Sequence, residues 1–95
     1  MYELIVLPPA AKFIKKIRDK HLKALFHKQF LEIKKDPYAG ERKTGDLQGV
    51  FCYDLYYNKT NYEIAYSIKE TPEKTIIVVL AGPRENFYEQ LKRYM

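Results

Sequence analysis

The residues most able to do chemistry fall on one face of a strand pair that can be placed from the sequence alone. Residues alternate in strand fashion over Val50–Tyr57 and again over Tyr62–Lys69. Phe51, Tyr53, Leu55 and Tyr57 share one face of the first strand, and Tyr62, Ile64, Tyr66 and Ile68 share one face of the second. These aromatic and aliphatic sets need cover. The opposite face then carries Cys52, Asp54, Tyr56, Glu63, Ala65 and Ser67, a small and polar set expected to stay open. A carboxylate there is a candidate general base and a phenol a candidate acid. The same pattern also fits a solvated sheet face. In that case Glu63 pairs with a Lys across the strand, Asp54 is a solvated charge and Tyr56 is edge packing.

Other residue types offer less. Cys52 has no His near it in sequence and reads as a strand filler rather than a nucleophile. His21 and His27 fall in a predicted helical region, with His27 facing solvent. The sequence has no Cys/His cluster of metal-ligand spacing and no Gly-rich phosphate loop, so neither a metal nor a cofactor is expected.

The elements that must hold this face can also be read. Tyr2–Leu7 predicts a first strand, and Pro8-Pro9 ends it and suits the first turn of a helix. Ala10 to Arg18 predicts that helix, with Phe13, Ile14 and Ile17 on one side. Leu22, Leu25, Phe26, Phe30 and Ile33 recur at spacings of three and four, predicting a second helix to Lys35. Asp36-Pro37 closes it. Residues 37–49 read as loop, punctuated by Gly40, Gly45 and Gly49. Asn58-Lys-Thr-Asn61 marks a hairpin turn. Thr75–Leu80 is continuously apolar, as in a central strand. Gly82-Pro83 is expected to break that strand, and Arg84–Met95 to form a short terminal helix. The expected order is β-α-α-β-β-β-α. This is an α+β fold, with an N-terminal helical hairpin on one face of a mostly antiparallel four-stranded sheet.

Ninety-five residues predict a single domain over 1–95 with one modest core. The net charge of +5 is lopsided. Residues 1–48 hold 11 Lys/Arg against 6 Asp/Glu, whereas residues 49–95 hold 6 of each. Such a field suits a polyanion or an acidic protein partner. A single cysteine excludes an internal disulfide and fits a reducing compartment. Tyr2–Leu7 is too short to span a bilayer and no signal peptide is visible, so a cytoplasmic protein without membrane contact is expected.

Over nearly its whole length the chain resembles the RelE/ParE superfamily of bacterial toxins from type II toxin–antitoxin pairs. Leu47-Gln-Gly49 is similar to the family's Leu-x-Gly. Tyr53-Asp-Leu55 and Tyr62-Glu-Ile-Ala-Tyr66 are similar to its Tyr-Arg-Ile and Tyr-Arg-Ile-x-Tyr strands. Leu80-Ala-Gly-Pro-Arg84-Glu-Asn-Phe-Tyr88 is similar to its ending, in which an Arg follows the last strand. The resemblance implies a toxin neutralised by a cognate antitoxin. RelE-like members cut mRNA in the ribosomal A site, and ParE-like members poison DNA gyrase. Asp54, Tyr56 and Glu63 stand where the family's best-known nuclease carries basic residues, which leaves an attenuated homologue that mainly binds its antitoxin as a further reading.

For the nuclease reading, attack by a 2′-hydroxyl needs a base, a cation for the phosphorane and an acid for the leaving oxygen. Glu63 or Asp54 is the candidate base. Arg84, matching the family's Arg, is the candidate cation. Tyr56 or Tyr88 is the candidate acid. Arg42, Lys43, Lys34 and Lys35 are candidate RNA contacts, together with the lysines of the predicted helices. Those helical cations suit an acidic antitoxin segment equally well.

Overall fold

The computed structural model describes residues 2–94. Strand β1, Glu3–Val6, runs into helix α1, Pro8–Lys16. Pro8 and Pro9 occupy the first turn of α1, where a missing N–H breaks no bond. The helix thus begins and ends two residues earlier than expected. Helix α2, Lys20–Lys35, is capped by Asp19, whose side chain accepts from the His21 and Leu22 amides at 2.9 and 3.3 Å. Tyr57 donates to the other carboxylate oxygen of Asp19 at 2.9 Å, tying the helix start to the hairpin. Leu22, Phe26, Phe30 and Ile33 are buried, as the stripe of apolar residues requires. Lys34 and Lys35 sit in the last turn, where cations suit the helix dipole.

The sheet has five strands rather than four, in the order β1-β5-β4-β3-β2. The extra strand is β2, Glu41–Arg42, antiparallel to β3, Phe51–Tyr57. Two residues carry no periodicity, so nothing in the sequence marked it. Strands β3 and β4 (Thr60–Lys69) are joined at Asn58-Lys59, both with positive φ, as a tight hairpin with the native twist requires. Strand β5, Thr75–Pro83, pairs antiparallel with β4 and parallel with β1. Gly82-Pro83 does not break it. β1 covers only Thr75–Val78, so the later part of β5 has a free edge on that side, where a proline removes no ladder bond. Helix α3 is Phe87–Arg93, with Arg84 in the turn before it. The expected helix end at Met95 lies outside the described residues.

Two clusters fill the interior. Under α1 and α2 lie Phe51, Leu55, Ile64 and Tyr66 with Ile76 and Val78, joined by Phe13, Tyr53, Tyr57 and Tyr62. Phe26 meets Phe13 and Tyr62 edge-on, each at 5.7 Å between ring centres. The opposite face, which alternation predicted to be open, is covered in part. Cys52 and Ala65 are buried there with Leu47, Val50, Val79 and Leu80 beneath Phe87 and Leu91 of α3. Two apolar residues one helical turn apart give α3 a stripe, and that stripe needs the small residues of this face.

One internal contact holds the loop before β2. The buried hydroxyl of Tyr66 donates to the Pro37 carbonyl at 2.7 Å. A Cβ on Gly40 would collide with that buried hydroxyl, so glycine fits there.

Candidate functional site

Where α3 stops covering the second face, four side chains from three elements and a turn converge. Asp54 and Glu63 stand directly opposite each other on β3 and β4. No lysine pairs with Glu63 across the strand; its partners are Arg84 and Tyr88. The Arg84 backbone is fixed first. Its N–H donates to the Asn61 carbonyl at 2.9 Å, and its carbonyl accepts from Phe87 at 3.0 Å. That directs the guanidinium over the strand pair. Nε reaches Glu63 Oε2 and Nη2 reaches Asp54 Oδ1, each at 3.3 Å.

Glu63 is 1% exposed, which corrects the expectation that it lies uncovered. A buried carboxylate needs donors, and it has two: Arg84 on one oxygen and the Tyr88 hydroxyl at 2.5 Å on the other. Burial, and then the bond to Glu63, push the Tyr88 hydroxyl up to about 12, so it keeps its proton at neutrality. Partial burial works against the Arg84 charge, but Asp54 and Glu63 outweigh it and raise its pKa further. Lys43 stands 4.8 Å from the centre of the Tyr88 ring and pairs with Glu41. Burial disfavours its charge, yet Glu41 and Tyr88 raise its pKa overall. Cys52 is pushed up to about 12 by burial and by Glu63, which leaves it a neutral thiol.

The exposed members are those a substrate can reach. The Asp54 side chain is 65% exposed and that of Arg84 50% exposed. Tyr56 shares the face of Asp54 and projects into solvent. Tyr88 is half-buried. Arg42 lies outside the cluster, its guanidinium 5.4 Å from the centre of the Phe51 ring. Lys34 and Lys35 end α2, on the other side of the sheet from Glu63. Lys43 therefore borders the cluster through Tyr88, whereas Lys34 and Lys35 do not. Sequence reasoning missed Glu41, which reaches this region because β2 pairs it with Cys52. Only the unmarked strand could have revealed it. Among the described residues no His, Cys, Asp and Glu group could hold a metal ion. No described helix is long and apolar enough to cross a membrane.

Comparison with known proteins adds the family. A family model described as the ParE-like toxin of type II bacterial toxin-antitoxin systems matches residues 4–92. No curated protein matches the sequence. Among solved structures, a mutant of the Escherichia coli toxin RelE in the free state is similar at TM-score 0.74 and 15% identity, covering 98% of this chain and 92% of that one. A RelBE toxin–antitoxin complex from Mycobacterium tuberculosis is similar at TM-score 0.66 and 20% identity, covering 87% of this chain and 98% of that one. The intact E. coli RelBE complex is similar at TM-score 0.64 and 20% identity, covering 86% and 95%. At these identities the likenesses establish the fold.

Proposed function

This chain belongs to the ParE-like toxins of type II bacterial toxin–antitoxin systems, and from the geometry of its side-chain cluster we propose that it is an endonuclease that cuts mRNA in the ribosome and is restrained by a cognate antitoxin. The reading takes residues 1–95 as one toxin domain acting in the cytoplasm. The observation that carries it is the buried carboxylate of Glu63, shared by the Arg84 guanidinium and the Tyr88 hydroxyl beside an exposed Asp54. A packed scaffold gains little from burying a charge. A reaction centre gains an oriented cation and an oriented donor.

In this reading Asp54 takes the proton of the 2′-hydroxyl. The freed oxygen attacks the adjacent phosphorus, and the bond from phosphorus to the 5′-oxygen breaks. Arg84 neutralises the charge gathering on the phosphorane. Tyr56, exposed on the same face, returns a proton to the leaving oxygen, giving a cyclic phosphate and a 5′-hydroxyl. Glu63 and Tyr88 act as positioning residues, because among the described residues the donors Glu63 meets are Arg84 and Tyr88. The lysine-rich helices supply phosphate contacts or the seat of an acidic antitoxin segment. Relatives of the same fold are found in toxin–antitoxin complexes.

A second reading has its own observation. Two carboxylates already balance Arg84, so the cluster holds no surplus positive charge for RNA. That favours a ParE-like inhibitor that binds DNA gyrase without chemistry, or an attenuated homologue that mainly binds its antitoxin. Inducing the protein in bacteria separates the readings. Cuts confined to translated transcripts are the expected result. Gyrase-linked breaks in plasmid DNA with intact mRNA select the inhibitor, and unimpaired growth selects the attenuated homologue.

A further inference from the structure

Near the β2 edge of the sheet, Lys43 and Lys92 are each engaged by a carboxylate, as Arg84 is over the second face. Arg42 meets no carboxylate among the described ion pairs and lies instead over the Phe51 ring. It borders a depression of about 610 Å³ lined also by Tyr38, Thr44, Gln48 and the backbone at Gly45 and Gly49. Both glycines have positive φ, and a Cβ on either would meet only open space. The floor there is bare backbone with room above it. Tyr38 is 48% exposed, donates its hydroxyl to Glu70 and stands edge-on to Phe51 at 5.7 Å, so a planar guest finds an aromatic wall with a guanidinium beside it. Lys43 lines the same depression and also reaches the Tyr88 ring, so the depression wraps the sheet edge, with Phe51 and Ile68 on the face opposite Glu63.

We propose that this depression binds one unpaired nucleotide of single-stranded RNA, its base against Tyr38 and its phosphate on Arg42. The chemistry follows from the lining. Sequence-tolerant stacking comes from the aromatic ring and the guanidinium plane. A bidentate fork suits a phosphate. The amide of Gln48 and the hydroxyl of Thr44 can donate to and accept from a base edge, so this site can prefer one base over another at a nucleotide held apart from the cut. The inference rests on the nuclease reading for its meaning, but its binding test does not depend on cleavage.

The test is an NMR titration of the whole chain with adenosine 5′-monophosphate, inorganic phosphate and a short single-stranded oligoribonucleotide. The nucleotide and the oligonucleotide are expected to shift the Gly45 and Gly49 amides and the Tyr38 ring signals saturably, with phosphate alone binding more weakly. Arg42→Ala is expected to weaken nucleotide binding about tenfold. Tyr38→Leu, at an exposed position, is expected to weaken the nucleotide but not phosphate. Arg84→Ala is expected to keep binding here. Saturable binding by a protein that cuts no mRNA removes the nuclease reading and leaves this site standing. Absence of a saturable shift, equal shifts from phosphate alone, or unchanged affinity in Arg42→Ala overturns the site.

Discussion

The sheet face under α1 and α2 gathers thirteen buried residues into its core, and the face under α3 gathers eight. The larger set is apolar apart from the Tyr66 hydroxyl, and two helices cover it. The smaller set is covered by a helix of seven residues, and the cover runs out before the strands do. Glu63, the one buried charged side chain among the described residues, lies at that margin. There it has low-dielectric surroundings on one side and the half-exposed Arg84 on the other. Full cover makes a scaffold. Partial cover makes the border at which a charge can be both buried and reachable through its partner.

The largest expected effect belongs to the covered face. Phe26→Ala removes the ring that meets Phe13 and Tyr62, and is expected to cost about 3–5 kcal/mol by urea denaturation. That is enough to unfold much of a small domain. Leu91→Ala on the other face is expected to cost about 2–3 kcal/mol, because a short terminal helix can settle into the space left. Equal costs for the two changes break the comparison. Arg84→Ala sharpens it, with an expected stability loss smaller than that of either core change, since Glu63 keeps Tyr88 and gains water. Toxicity is expected to fall about 100-fold, read as growth after induction. A variant as toxic as the parent takes Arg84 out of the site.

The smallest effect is a pH dependence confined to the margin. The Tyr88 hydroxyl lies near 12 in the folded chain against 10.0 as its ordinary value. A raised value means that the folded state holds the proton more tightly. The contribution is therefore whole below pH 10 and is lost as pH rises through about 12. Tyr88→Phe lacks this contribution, so the stability gap between parent and variant is expected to close between those two values. A gap unchanged up to pH 12 shows that burial and Glu63 together do not hold the Tyr88 proton.

The covered face was legible because side chains there obey one rule, alternation against an apolar layer. Phe51, Leu55, Ile64 and Tyr66 all lie where that rule puts them. The other face obeys it only in part. Cys52 and Ala65 look like an open surface until Phe87 and Leu91 are seen to need them, and a helix of seven residues gives little pattern from which to assign a partner. The fifth strand was illegible for a related reason. Glu41 and Arg42 are strand only because Cys52 and Phe51 lie beside them. Asp54, Glu63, Arg84 and Tyr88 could be named from the sequence as candidates. Their mutual bonds, and the burial of Glu63, depend on long-range pairing that no local spacing encodes.

The hydroxyl of Tyr66, bound to the Pro37 carbonyl, bears on how the edge of the molecule breathes. Freeing the segment ahead of β2 means withdrawing a phenol rooted in the main core. Proton exchange at the Lys43 amide, which donates to the Val50 carbonyl at 2.9 Å, is therefore expected to follow opening of the centre rather than local fraying. The rim of the depression that Arg42 borders is thereby moored to the hydrophobic interior through the Tyr66 phenol.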